Sequence, residues 1–196
     1  MGCDRVVIAS TLSQGNKTAV TWLSYKMTGL ESFLITLVQN NTPTTFEAKA
    51  TDTSLTVDYT AAAGCKATVT PRIASGPSND NASFAAPVPF PPPPVDPSIK
   101  RAVALRVCSD GANVTVNWVS AEITNPDDPP LEGNYISVVQ DSTKLTNFPV
   151  DDPTATVTTF AYVVQSGSTY EVIVTPFDVV GPRYELAAYP VPIPYP

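Results

Sequence analysis

Residues Val163 to Pro182 read VVQSGSTYEVIVTPFDVVGP. Behind the turn cluster QSGS, the apolar Tyr170, Val172 and Val174 recur at every second position, with Glu171 and Ile173 between them. That period of two describes a β-strand with one buried face, and VVGPR at 179–183 supplies the turn that ends it. The same strand occurs earlier in the chain: VIVTP at Val172 to Pro176 is matched by ATVTP at Ala67 to Pro71.

Working outward, three more pairs keep the same order. TAVTW at Thr18 to Trp22 matches VTVNW at Val114 to Trp118, and TLVQN at Thr36 to Asn40 matches SVVQD at Ser137 to Asp141. FAAPVPFP at Phe84 to Pro91 matches LAAYPVPIP at Leu186 to Pro194. The offsets of 96, 101 and 105 for the first three pairs grow as small insertions would make them, so the chain is an internal duplication. Each copy spans about 90 residues of short β-patterned runs. In the second copy these fall at 101–107, 112–119, 133–140, 143–148, 154–160, 168–177 and 183–189. Turn clusters rich in Gly, Pro, Asn, Asp and Ser separate them, and no helical period competes. Seven short strands per copy predict an all-β chain of two tandem antiparallel β-sandwiches.

With VTVNWV around Trp118 and NYISVVQ in the next strand, the 163–182 stretch resembles a fibronectin type III domain, an immunoglobulin-like β-sandwich. Tyr170 fits that family's tyrosine position, with Val164 and Ser168 as conservative stand-ins for the Leu and Thr that precede it and Ser166 in place of the usual proline. The resemblance covers nearly all of the second copy. The first copy keeps Trp22 and ATVTP but places Cys65 where Tyr170 stands, so it is a divergent member whose tyrosine corner is missing or moved. Trp22, Trp118 and Tyr170 are the expected core anchors, with each indole between two sheets about 10 Å apart.

Little in the composition supports chemistry. The chain has no histidine, which removes the commonest general base and the commonest transition-metal ligand, and no phosphate-cradling or nucleophile-elbow motif occurs. A net charge of -7, with 11 scattered basic residues, argues against nucleic acid. No apolar run approaches the roughly 20 residues that cross a bilayer, so no membrane insertion is expected of this segment. Cys3, Cys65 and Cys108 are too few and too far apart for a disulfide scaffold or a zinc site. Cys65, on a strand beside Lys66, is expected to face the core. No cofactor is expected. The oxygen-rich turns at Asp127-Asp128 and Asp151-Asp152 are weak calcium candidates, since adjacent aspartates before proline are also ordinary turn chemistry. Four Asn-x-Ser/Thr sequons, at Asn16, Asn40, Asn81 and Asn113, fall in turns or at strand ends and are candidates for N-linked glycans.

Between the copies, AAPVPFPPPPVDP at 85–97 packs seven prolines into residues 87–97. It contains the minimal Pro-x-x-Pro ligand, but Asp96 lies where a basic flank is usual, and YPVPIPYP closes the second copy in the same way. A segment that recurs after each copy reads as a spacer. The expected organisation is therefore a first sandwich at 1–86, a proline-rich linker at 87–98, a second sandwich at 99–189, and a proline-rich tail or further linker at 190–196. The resemblance implies a non-catalytic, extracellular or cell-surface adhesion or structural module, part of a longer protein, that binds a protein partner or assembles with itself. For self-assembly, the edge strands and the aromatics near the prolines, Phe90, Tyr189 and Tyr195, are the expected contacts. The alternative is a spacer or carbohydrate-binding accessory module of a secreted enzyme.

Overall fold

A computed structural model describes residues 4–24, 27–88, 100–123 and 125–195. The chain divides into two compact units, one within residues 4–97 and the other within 98–196.

In the first unit β1 (Val6–Gln14), β2 (Lys17–Ser24) and β5 (Ser54–Asp58) form a three-stranded antiparallel sheet in the order β1-β2-β5. The facing sheet runs β4 (Thr42–Lys49), β3 (Leu30–Gln39), β6 (Lys66–Ile73) and β7 (Gly76–Pro77), with β8 (Ala86–Pro87) also paired to β6. Alternation decides which side chains meet between the sheets. Val20 and Trp22 of β2, Phe33, Ile35 and Leu37 of β3, and Ala67 and Val69 of β6 are all 1% exposed or less. Trp22 meets Phe33 edge to face with ring centroids 5.3 Å apart. The β3–β4 hairpin turns through Asn40 and Asn41, both at positive φ (50° and 61°), a conformation Asn tolerates better than most residues.

The second unit repeats this plan. Strands β9 (Val103–Ser109), β10 (Asn113–Val119) and β13 (Val157–Ala161) make the order β13-β10-β9. They face β12 (Lys144–Val150), β11 (Gly133–Gln140), β14 (Tyr170–Asp178) and β15 (Gly181–Pro182), with β16 (Val191–Pro192) also on β14. The duplication extends to irregular features. Opposite each tryptophan the partner strand carries a bulge: the register skips Ala9 beside Trp22 and Leu105 beside Trp118. Val88 N donates to Cys65 O at 2.9 Å, as Ile193 N donates to Tyr170 O at 2.8 Å.

Three expectations change. The seventh strand expected at 183–189 is instead a short 3-10 turn at Tyr184–Leu186, because Leu186 turns into the core at 4% exposure. Sheet pairing resumes only at Val191–Pro192, and Ile193, expected in the tail, is 6% exposed. Likewise Pro87, expected to open the linker, pairs with Lys66 and accepts the Thr11 hydroxyl at 2.7 Å, and Val88 is 3% exposed. The first prolines of each segment therefore complete a sandwich; most of the expected linker, residues 89–98 with Phe90, lies outside the described residues. The tyrosine corner of the first copy is reorganised. Tyr170 accepts a hydrogen bond from Gln165 N at 3.2 Å, whereas at the matching place the buried Cys65 side chain is hydrogen-bonded by Tyr59.

The copies differ in one core position with a measurable consequence. Asn134 stands where the first copy has Phe33, each opposite the Pro of a TP pair, and it is 2% exposed with no hydrogen-bond partner for Oδ1. An unpaired buried amide oxygen costs about 1–3 kcal/mol, so Asn134→Leu is expected to stabilise the second sandwich by about 1 kcal/mol in urea unfolding. A lower midpoint would show that the amide is held in place by a favourable interaction.

A second expectation concerns Cys65, which is free, 1% exposed and has its thiol pKa pushed up, chiefly by burial. Peptide mapping after treatment with a thiol reagent at pH 8 should find Cys65 unlabelled in the native chain and labelled once urea unfolds it. Rapid native labelling would mean that the first sandwich opens locally.

Candidate functional site: an aromatic sheet face on the second sandwich

The outward positions of the β12-β11-β14 sheet are set by the same alternation that fills the core. Ile136 and Val138 point inward at 0% exposure, so Tyr135, Ser137 and Val139 lie on the other face. The register places Pro149 and Thr175 beside Tyr135, Asn147 and Ile173 beside Ser137, and Leu145 and Glu171 beside Val139. At one end Gly133 lies opposite Phe177, whose ring sits 4.6 Å from that of Tyr135. Gly133 is required there: a Cβ would lie 2.2 Å from Val150 O and 2.7 Å from the Phe177 ring. An aromatic ring laid over a strand glycine replaces the side-chain packing that the glycine lacks.

Pro182 and Tyr184 complete a cleft of about 310 Å³ over this face, lined also by Tyr135, Ser137, Leu145, Asn147 and Thr175. Tyr184 is 73% and Leu145 59% exposed, so large apolar side chains stand in solvent on a face that no element of this unit covers. The Ser137 hydroxyl donates to Asn147 Oδ1 at 2.8 Å, which leaves the Asn147 amide nitrogen to donate to a ligand. The same register positions of the first sandwich carry Leu34, Thr36, Thr70 and an ion pair between Arg72 and Glu47 at 3.5 Å, flanked by Lys49 and Lys66. One copy thus has a charged face and the other an aromatic one.

Beside the cleft, Arg183 gathers three carboxylates. It reaches Asp178 Oδ2 at 2.8 Å and Asp128 Oδ2 at 3.2 Å, and also pairs with Glu185. Asp178 Oδ1 accepts the Val180 and Gly181 N–H groups at 2.8 and 3.2 Å, which holds the hairpin tip where Val179 and Val180 are 69% and 85% exposed. The hydrogen bond from Arg183, then those from the backbone, hold the Asp178 carboxyl below the usual carboxylate range, and the Arg183 pKa is raised in turn.

The remaining candidates are dispersed. Asp128 is committed to Arg183, Asp127 N is bonded by Asn125, Asp152 caps its own turn by accepting Thr154 N at 2.8 Å, and Asp151 is exposed. Among the described residues no three acidic or cysteine side chains converge to hold a metal ion. Asn16 and Asn40 are exposed, whereas Asn81 Nδ2 donates to Asp4 O and Asn113 Nδ2 to Asp110 Oδ2 at 3.1 Å. Trp22 and Trp118 are 0% and 1% exposed and contribute nothing to a surface. Cys108 is disulfide-bonded and Cys3 lies outside the described residues. Tyr189 is partly covered with Arg101 5.8 Å from its ring, and Tyr195 is 57% exposed. Tyr135, Phe177 and Tyr184, which form the face, were not singled out by sequence. The alternation in NYISVVQ does place Tyr135 outward, but its neighbours depend on strand register, which no single stretch contains.

No family model and no curated protein matches the chain. Among solved structures it is similar to a two-domain fibronectin type III segment of chicken tenascin, with 16% identity, 96% of each chain covered and a TM-score of 0.32. It is also similar to the FN1-FN3 domains of chicken CNTN1, with 11% identity, 97% of this chain and 66% of that one covered, and a TM-score of 0.36. The strand order carries the assignment. A three-stranded sheet faces one in which the fourth strand has moved to pair with the third, and this arrangement occurs twice. The fold is two tandem antiparallel β-sandwiches, each with the strand order of a fibronectin type III domain.

Two expectations follow for the site. Gly133→Ala should destabilise the second sandwich by about 1–3 kcal/mol, because backbone or ring must shift, and calorimetry of the intact chain should show it. Asp178→Asn should lower the urea midpoint at pH 7. A carboxylate with depressed folded pKa contributes stability above its unfolded value of about 3.9 and loses it as pH falls through the folded pKa. The gap between variant and parent should therefore close between pH 5 and pH 2; a gap that persists in acid would show that the charge is not what matters.

Proposed function

We propose that this chain is a non-catalytic extracellular or cell-surface module of the adhesion type, and that it engages a protein partner, or a copy of itself, through the aromatic face of β12-β11-β14. The observation that carries this reading is the uncovered cluster of Tyr135, Tyr184 and Leu145, since large apolar side chains gathered on one exposed face mark an interaction surface. Aromatic residues are also those most enriched at protein interfaces. The strand edges are poorer candidates than the faces, because both five-stranded sheets place prolines on their outer strands, Pro43 and Pro87 in one and Pro149 and Pro192 in the other.

The test is adhesion of beads coated with the chain to one another and to cell surfaces. Tyr184→Ser and Leu145→Lys alter exposed side chains and should each reduce adhesion about tenfold, while Thr45→Lys on the matching face of the first sandwich should not. Adhesion that ignores both face variants would overturn this reading. The accessory-module alternative draws support from the polar groups between two tyrosines, an arrangement that also suits a sugar ring. A saturable shift of Tyr135 or Asn147 NMR signals on titration with soluble polysaccharide would favour it.

Extracellular exposure makes the sequons usable. Asn16 and Asn40 should carry glycans when the chain is secreted from eukaryotic cells, and Asn81 and Asn113, whose amides are engaged, should carry them less often. Glycosidase release followed by peptide mass measurement would check this, and no occupancy at Asn16 and Asn40 would count against the extracellular assignment.

A further inference from the structure

The cleft on the second sandwich has the chemistry of a proline-segment reader. A polyproline II strand has no internal hydrogen bonds, so it offers free backbone carbonyls and stacks of flat apolar rings, and it docks against aromatic walls set with donors. Tyr184 and Tyr135 supply such walls, and the Tyr135 ring is fixed by Phe177 at 4.6 Å. Asn147, with its oxygen occupied by Ser137, supplies a donor between them. None of the seven lining residues is charged, so this cleft makes no demand for the basic flank that acidic proline readers require.

The chain itself contains a ligand of this description. Residues 89–95 read PFPPPPV and carry no charge. The matching face of the first sandwich, with Glu47, Lys49, Lys66 and Arg72, would not accept them. Each chain therefore has one reader and, between its two sandwiches, one uncharged proline segment. We propose that the cleft of one copy docks residues 89–95 of a second copy. This rests on the reading of the face as a protein-binding surface and adds its occupant. Reader and ligand are different parts of the chain, so the contact is heterologous and propagates head to tail instead of closing as a symmetric dimer. A cleft this small gives a weak single contact, which becomes effective when many copies are held on one surface.

Sedimentation velocity of the intact chain from about 10 µM to 1 mM tests the proposal. The parent should sediment faster as concentration rises. Leu145→Lys, which blocks the reader, and a variant with Pro91, Pro92, Pro93 and Pro94 all replaced by Ser, which removes the ligand, should each stay monomeric, with circular dichroism confirming that they fold. Mixed together, these two variants retain one working reader and one working ligand and should form a one-to-one pair that grows no further. A parent that stays monomeric throughout, a serine variant that still associates, or a mixture that does not pair would each overturn the proposal. If bead adhesion still depends on Tyr184 and Leu145 in those cases, the face keeps its role and only the occupant is wrong; if adhesion is indifferent to them, the face reading itself fails.

Discussion

The burial of one indole between two sheets sets the register of everything around it. Trp22 and Trp118 lie on the central strand of each three-stranded sheet, and each donates its backbone N–H across to the strand beyond, to Thr53 O at 2.8 Å and Thr156 O at 2.9 Å. On the other side the partner strand carries its bulge at that point, at Ala9 and at Leu105. A bulge changes which face the following residues present, so its recurrence beside both tryptophans keeps Val6 and Ile8, or Ala104, turned to the core. Without the bulge, the alternation on one side of it would invert and turn these apolar side chains into water.

Once the inner face is fixed, the outer face is free to diverge. Apart from Phe33 against Asn134 and Cys65 against Tyr170, many inward residues of the two copies are close relatives in size and chemistry: Val20 and Val116, Ile35 and Ile136, Leu37 and Val138, Val69 and Val174. Outward positions share much less. Leu34 is replaced by Tyr135, Arg72 by Phe177 and Glu47 by Pro149, so an ion pair on one copy corresponds to an aromatic pair on the other. Because a surface ion pair contributes little to stability, exchanging it for aromatic contacts is cheap for the fold. The change is felt instead by whatever meets the face.

Much of this was legible in the sequence, and the limits have physical causes. Period-two alternation and the four matched stretches are local signals, and they suffice for the two sandwiches and for the place of the tryptophans. The last strand of the second copy was misplaced because its pairing is short and interrupted: Arg183 to Leu186 alternate as a strand would, but Leu186 N bonds Arg183 O and the segment turns. Val191 and Pro192, which do pair, look like linker because proline suggests a break. The aromatic face was missed for another reason. Tyr135, Phe177 and Tyr184 are up to 49 residues apart, and only the pairing of β11 with β14 brings the first two together.

Edge-strand physics accounts for the prolines that complete each sandwich. A two-residue strand at the margin of a sheet is a template on which another chain could pair, and proline, with no N–H to donate, spoils that template. Pro87 and Pro192 stand at such a margin, each beside a residue that does fill the core, Val88 and Val191. In this way proline hinders strand addition at the margins of the two five-stranded sheets. The aromatic face of the second sandwich lies beside sheet margins that proline closes in this way.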